Sequence, residues 1–209
     1  MTEKKHFVEG EPAMKNIILL VCFAFFACLP PGTAFAAFHT FQPSQNDLYD
    51  LDHGKYYQWG INWQVMAGET IVGASLTFDN IRNYNSDPND LWVHLLDSVS
   101  AGTHVGTDNK DGVDQFAGQG ILLHHWEDFP SISQDITYDF SAQEIVTFMD
   151  YLSDGNFGFG LDPDCHYYND GISFTVETSA VPIPSEIFLL GSGLLFLAGG
   201  RARRSMKKG

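Results

Sequence analysis

Two loops rich in Asp, Asn and Gly carry the side chains best suited to binding an ion. Their aspartates are Asp108, Asp111 and Asp114 in the first loop, and Asp162, Asp164 and Asp170 in the second. Calcium prefers several hard oxygen ligands, which carboxylates and backbone carbonyls of such loops supply. Calcium is therefore the candidate cofactor. Neither loop has EF-hand spacing, and the favoured interpretation is that these residues form turns by local hydrogen bonding, with calcium binding as the alternative.

Two adjacent pairs, Cys165-His166 and His124-His125, contain residue types that bind zinc. No second Cys or pair of His four residues apart supports a zinc site in this region. Because neighbouring residues on a strand face opposite sides, only one member of each pair could reach the same ion. The sequence therefore favours a core Cys and surface His over zinc ligands.

Catalytic motifs are missing from the sequence. A glycosidase needs two carboxylates across a cleft, and the middle of the chain has few Glu. Glu144 is explained by a helix cap and Glu177 by strand alternation. No G-x-S-x-G elbow or Gly-rich phosphate loop occurs. We expect a non-catalytic protein, and the alternative is a secreted enzyme acting on polysaccharide.

Aromatic side chains make glycan the second expected ligand class, an exopolysaccharide in particular. Tyr56 and Tyr57 are adjacent, as are Tyr167 and Tyr168. On a strand, one member of each pair faces outward, where its ring could stack on a sugar. The Trp residues are expected mostly in the core.

The charge of the middle region excludes other partners. Residues 37–180 contain 22 acidic residues against three basic ones, a net charge of −19. Such a surface repels phosphate backbones, which proteins bind through Lys and Arg. Nucleic acid is therefore not an expected partner, whereas cations and neutral sugars are compatible with this charge.

Residues 37–180 are expected to form one domain that is mostly β, an antiparallel jelly-roll-like β-sandwich with one short helix. Residues 74–79 and 172–177 alternate apolar and polar side chains, as half-buried strands do. Further β-rich runs, separated by Gly, Asn, Asp and Pro, cover residues 56–65, 91–96, 120–124, 136–140 and 157–161. Ser141 and Glu144 form a capping box that predicts the helix, which ends before Gly155.

The N-terminal end resembles a secretory signal peptide. An apolar run at residues 17–29 is followed by Pro30 and Pro31, and then by an A-x-A cleavage site. The residues around the predicted cut are Ala34, Ala36 and Ala37. We assign the signal helix to residues 1–36, with an alternative start at Met14. Lipidation at Cys28 is a competing interpretation.

The C-terminal end, residues 181–209, has three parts that together indicate membrane insertion. A proline motif comes first, comprising Val181, Pro182, Ile183, Pro184 and Ser185. An apolar transmembrane helix is predicted for residues 186–200. The basic tail, residues 201–209, contains Arg201, Arg203, Arg204, Lys207 and Lys208. Because cationic tails stop translocation, the tail is expected in the cytoplasm and the acidic domain outside.

This tripartite end resembles the PEP-CTERM sorting signal of Gram-negative bacteria that make exopolysaccharide. The usual motif is Val-Pro-Glu-Pro-Ser, and Ile183 replaces its acidic residue here. The resemblance implies an exosortase, a membrane protease or transpeptidase, as partner. It also implies transient residence in the inner membrane, followed by delivery to the outer surface or extracellular matrix. The alternative is a permanent membrane anchor carrying a periplasmic receptor domain.

The sorting hypothesis predicts two states of the protein in its native host. With the exosortase present, intact mass spectrometry should show a chain that lacks the C-terminal apolar and basic residues, recovered from the outer surface. Without the exosortase, the tail should remain attached in the inner-membrane fraction. A tail retained in both strains would identify a simple anchor.

Overall fold

The computed structural model describes residues 36–87, 89–109, 112–127 and 130–181, which are mostly β with one short helix. The strands are β1 (Ala36–Phe41), β2 (Lys55–Asn62), β3 (Glu69–Asn83), β4 (Leu91–Leu96), β5 (Gly102–Thr107), β6 (Ile121–Trp126), β7 (Gln134–Asp139), β8 (Asn156–Pro163), β9 (Tyr167–Tyr168) and β10 (Gly171–Ala180). The helix α1 covers Ala142–Tyr151. The predicted signal helix and transmembrane helix lie outside the described residues. Within them, no helix is long and apolar enough to cross a membrane.

The strands form two antiparallel sheets. The first sheet has the order β1-β10-β3-β7, and the short strand β9 also pairs with β3. The second sheet has the order β5-β2-β8-β4-β6. Neighbours in each sheet are often distant in sequence, so loops from different parts of the chain meet at the sheet ends.

Both sheets and the helix contribute to one aromatic core centred on Phe174, which is fully buried. The ring of Phe174 lies 4.8–6.2 Å from five other phenylalanine rings, those of Phe41, Phe140, Phe148, Phe157 and Phe159. Phe148 comes from α1 and is also fully buried. Aromatic pairs at these separations add to the free energy of burial.

Strand β8 faces the core on one side and is covered by the loop between β5 and β6 on the other. Phe157 and Phe159 point into the core, whereas Gly158 and Gly160 face the other side. A Cβ atom on Gly160 would lie 2.9 Å from the ring of Phe116, so glycine is required for this close approach. Phe116 belongs to the loop between β5 and β6 and is 1% exposed. This contact holds the loop against the second sheet.

Several predicted elements are confirmed. The alternating segments lie within β3 and β10, and β4 covers residues 91–96 as predicted. The capping box of α1 is formed: the Glu144 N–H donates to Ser141 Oγ, and the Ser141 N–H donates to Glu144 Oε2. Strands β1, β5 and β9 were not predicted. The strand predicted for residues 56–65 ends at Asn62, because the Trp63 N–H donates instead to the Gly155 carbonyl.

A left-handed turn precedes β2 and is unusual for its residue types. Four consecutive non-glycine residues, Leu48 to Leu51, have positive φ angles between 44° and 58°. Each costs about 1–2 kcal/mol relative to right-handed backbone. Leu48 and Leu51 are completely buried, which offsets part of that cost, whereas the side chain of Tyr49 is 53% exposed.

Replacing Tyr49 by glycine is therefore expected to stabilise the protein. Glycine adopts this backbone without steric cost, and its larger unfolded-state entropy leaves a net gain of up to about 1 kcal/mol. The free energy of unfolding from urea titration measures the effect. Tyr84→Gly is the matched control, since Tyr84 is also exposed but has no positive φ. A loss of stability in Tyr49→Gly as large as in the control would contradict this account.

Candidate functional site

The two predicted acidic loops meet at the outer face of the second sheet. Asp162, near the end of β8, lies on the same side of the strand as Gly160 and receives the N–H of Gln115 at 2.7 Å. Asp164 receives the N–H of Gly112 at 2.6 Å. Each aspartate thus accepts from the backbone of the loop that carries Asp114. The two loops form one cluster of carboxylates, the Asp162 cluster, comprising Asp108, Asp114, Asp162 and Asp164.

Asp162 is the most confined carboxylate of the cluster, with 1% of its surface exposed. Its Oδ2 atom accepts from Gln115, whereas its Oδ1 atom is buried and has no hydrogen-bond partner among the described residues. Burial, and then the negative charges of Asp108, Asp114 and Asp164, raise the pKa of Asp162 to about 7, against the opposing effect of the Gln115 hydrogen bond. An unpaired carboxylate is costly in such surroundings.

The other members of the cluster are held by the backbone and by one histidine. The N–H of Asp108 donates to the Gly54 carbonyl at 2.9 Å, and Asp108 is 8% exposed. Asp114 accepts the Phe116 N–H at 2.8 Å and lies 2.9 Å from Nε2 of the buried His94. These contacts fix the loop beside Asp162. Asp111, the remaining predicted ligand of this loop, lies outside the described residues.

Asp170 does not join the cluster, although its position in the sequence predicted that it would lie beside Asp162 and Asp164. Its carboxylate accepts from Asn80 Nδ2 at 2.7 Å, and its N–H donates to the Asp79 carbonyl at 2.8 Å. Both partners belong to the first sheet. The chain crosses from the second sheet to the first between residues 164 and 170, and this crossing separates residues that are close in sequence.

Among the described residues, no Lys or Arg forms an ion pair with Asp162 or Asp164, whereas Asp114 is paired with His94. Lys55 and Arg82 are the only Lys and Arg among the described residues, and Arg82 lies over the Tyr168 ring at 4.5 Å. The ion pairs found among the described residues involve histidine. No three carboxylates of the cluster bring oxygen atoms within 4.8 Å of one another there, so an ion that binds must draw them together.

A groove of about 370 Å³ lies next to the cluster. Its lining residues are His53, Tyr84, Asn85, Cys165, His166 and Tyr168. Tyr167 and Tyr168 face opposite sides of their strand, as predicted: Tyr167 is buried, whereas Tyr168 lines the groove. The ring of Tyr84 is 60% exposed, and one face of Tyr168 is covered by Arg82. Tyr84 therefore provides the more open aromatic surface for a ligand.

The adjacent histidines of β6 face opposite sides, as predicted. His124 packs against Trp126, with ring centroids 4.3 Å apart, whereas His125 lies 2.7 Å from Asp90. Cys165 is a half-buried free thiol that lines the groove. Among the described residues, no tight group of ligand atoms combines Cys165 with a histidine of β6.

The predicted processing residues lie mostly outside the described residues. Ala36 and Ala37 belong to β1 and pair with Ser179 and Thr178, and the Val181 N–H donates to the Gly68 carbonyl at 2.8 Å. Ala34, the rest of the proline motif and the basic tail are not described. No protein-family model matches this chain, and no curated protein matches it either. Sorting at the C-terminus therefore stays a prediction.

The raised pKa of Asp162 predicts a pH dependence of stability in the metal-free protein. Its folded pKa of about 7 lies above the unfolded value near 3.9, so the native state binds more protons between these pH values. The contribution of this group is therefore full below about pH 4 and is lost as the pH rises through 7. By the size of the shift, the loss is on the order of 4 kcal/mol.

Urea titrations in chelator between pH 4 and pH 8 measure this dependence. Asp162→Asn should remove it and should be more stable than the wild-type protein at pH 8, because the amide carries no charge. Asp170→Asn, at an exposed aspartate outside the cluster, should keep the wild-type dependence. Parallel stability profiles for wild type and Asp162→Asn would show that Asp162 does not titrate in this range.

Proposed function

We propose that this chain is an exported, non-catalytic surface or matrix protein whose β domain binds calcium at the Asp162 cluster. The observation that carries the proposal is the buried Oδ1 atom of Asp162, which has no partner among the described residues. Buried charges in proteins are paired or coordinate metals. A divalent cation would supply the charge that this carboxylate lacks.

The donor chemistry favours calcium over softer metals. The side chains around Asp162 are carboxylates, and the adjoining backbone offers carbonyl oxygens, so the donors are hard. His94 lies beside Asp114, but both of its ring nitrogens face acceptors: Asp114 itself and the Gln119 carbonyl at 3.2 Å. Calcium accepts irregular and flexible oxygen coordination, whereas magnesium requires a near-octahedral site. The Asp162 cluster combines a loop with the end of β8, and such a site suits the irregular coordination of calcium better than the octahedral coordination of magnesium.

Binding would fasten the β5–β6 loop to the sheet. The loop is already attached through Phe116, which packs against Gly160 and meets the Tyr56 ring edge-on at 5.7 Å. An ion shared by Asp114 from the loop and Asp162 from β8 would add a second attachment. The expected role of calcium is therefore structural, since it neutralises the cluster and orders the covering loop.

Two further parts of the proposal extend the observed fold and the sequence. We propose that the two sheets form a jelly-roll-like β-sandwich, since both contribute to the core around Phe174. Export and surface display rest on the signal peptide and the PEP-CTERM-like end, with an exosortase as processing partner. The net charge of −19 for residues 37–180 is compatible with a domain that works outside the cell and holds cations.

Calcium is expected to raise the thermal midpoint of the wild-type protein. Extracellular modules bind calcium with dissociation constants of roughly 10⁻⁴–10⁻³ M, so the titration should reach about ten times that range. At about tenfold excess over the dissociation constant, mass action adds about 1.4 kcal/mol, or roughly 4 °C for a domain of this size. Differential scanning calorimetry on the full-length chain measures the shift.

The variants separate this cluster from other acidic groups. Asp162→Asn should lose the calcium-dependent shift, whereas Asp170→Asn should retain it in full. Equal shifts in the wild type and in Asp162→Asn would place calcium elsewhere. No shift in the wild type at the highest concentration would remove the proposed function.

A further inference from the structure

A second group of ligand atoms lies at the edge strand of the same sheet. Strands β4 and β6 are antiparallel, with Leu91 opposite Trp126 and Trp92 opposite His125. Asp90 and Glu127 are the next residues at this end of the strand pair. Because side chains alternate along a strand, positions 90 and 92 share a side with positions 125 and 127. The register therefore brings Asp90, Trp92, His125 and Glu127 together.

The side chains form a tight group in the structure. Ligand atoms of Asp90, His125 and Glu127 all lie within 4.8 Å of one another, the one such group among the described residues. His125 Nε2 lies 2.7 Å from Asp90 Oδ1, and His125 Nδ1 lies 3.9 Å from Glu127 Oε1. The imidazole stacks on Trp92, with centroids 4.8 Å apart and planes at 15°. The orientation of His125 is thus fixed on two sides.

The hydrogen bond to Asp90 determines which ring nitrogen is left to bind a ligand. An ionised carboxylate only accepts, so Nε2 of His125 carries the proton that it donates to Asp90. In the neutral ring the Nδ1 lone pair then faces Glu127. Their separation of 3.9 Å is too long for a hydrogen bond. Two donors at about 2.1 Å from a tetrahedral zinc ion lie about 3.4 Å apart, so the exposed side chain of Glu127 must approach His125 by about 0.5 Å to bind the same ion.

We propose that His125 and Glu127 bind a transition-metal ion, with Nδ1 and a carboxylate oxygen as protein ligands. Asp90 is a positioning residue in this site, since it fixes the tautomer and orientation of the imidazole as carboxylates do in zinc proteins. Imidazole with carboxylate suits zinc and copper, and copper(II) binds most tightly among the divalent ions of this series. Water completes the coordination.

This site is independent of the proposed calcium site, although the two are neighbours. The Asp164 N–H donates to the Asp90 carbonyl at 2.9 Å, so the two sites meet through the backbone. Their donors differ, because the Asp162 cluster supplies oxygen atoms and this site adds a histidine nitrogen. Calcium prefers oxygen, whereas zinc and copper accept both. Each site can therefore be removed without removing the other.

The test uses copper(II) and zinc with the full-length chain, its thiols blocked by alkylation so that cysteine does not compete. Copper bound at His125 should quench the fluorescence of the stacked Trp92 in a saturable way, and zinc binding is followed by calorimetry. His125→Gln should abolish both signals. Glu127→Gln should weaken binding at least tenfold, and Asp90→Asn should weaken it about 10- to 100-fold.

Two control variants make the outcome specific. His104→Gln, at an exposed histidine on another strand, should bind as the wild-type protein does. Asp162→Asn should also bind copper normally, so that a failed calcium site does not affect the result. Glu127 has a 76% exposed side chain, so its variant tests the site even if His125→Gln folds poorly. Equal affinities for wild type and Glu127→Gln, or no saturable binding by the wild type, would overturn the proposal.

Discussion

The contrast between the two faces of β8 is the constraint on which the rest of the molecule depends. Phe157 and Phe159 pack in the core around Phe174, whereas Gly158 and Gly160 place no side chains on the opposite face. Glycines have no side chains to cover the strand backbone, and Phe116 of the β5–β6 loop packs over this face instead. The same strand then ends in Asp162, which the covering loop encloses. Core packing on one side of the strand and an enclosed carboxylate on the other therefore arise from one alternating segment.

Electrostatics explains why the acidic residues collect where they do. Most carboxylates of this domain are on the surface, where water solvates them at little cost. Asp162 is different, because the loop that completes the packing also removes it from water. The favourable free energy of burying Phe116 is thus opposed by the cost of removing the Asp162 carboxylate from water. Such opposition between packing and charge is typical of sites that are completed by a ligand.

Local patterns in the sequence predicted local structure well. The α1 helix follows from its capping box and apolar spacing, and β3, β4 and β10 follow from alternation or apolar runs. Strand β5 was missed because Gly-Thr-His-Val-Gly-Thr combines two glycines with an exposed edge position. The left-handed turn at Leu48 to Leu51 could not be predicted, since none of its residues is glycine and burial of its leucines selects it.

The candidate sites depend on strand order and register, which the spacing of residues in the sequence does not reveal. Asp108 and Asp162 are distant in sequence and meet because β8 lies between β2 and β4 in the sheet. Asp170 is near Asp164 in sequence, but the chain changes sheets between them. The pairing of His125 with Asp90 requires the register of β4 against β6. Residue types indicated which side chains are candidate ligands, whereas only the strand order determines which of them meet.

The pairing at the end of β10 has a mechanical consequence. Ala36 lies opposite Ser179, so the chain enters and leaves the first sheet at one point. Tension applied at Ala180 would pass directly into β10, which is flanked by β1 and β3 along its length. Two ladders of hydrogen bonds would then share the load, and the second sheet, which carries the proposed ion sites, would not lie on the line of force.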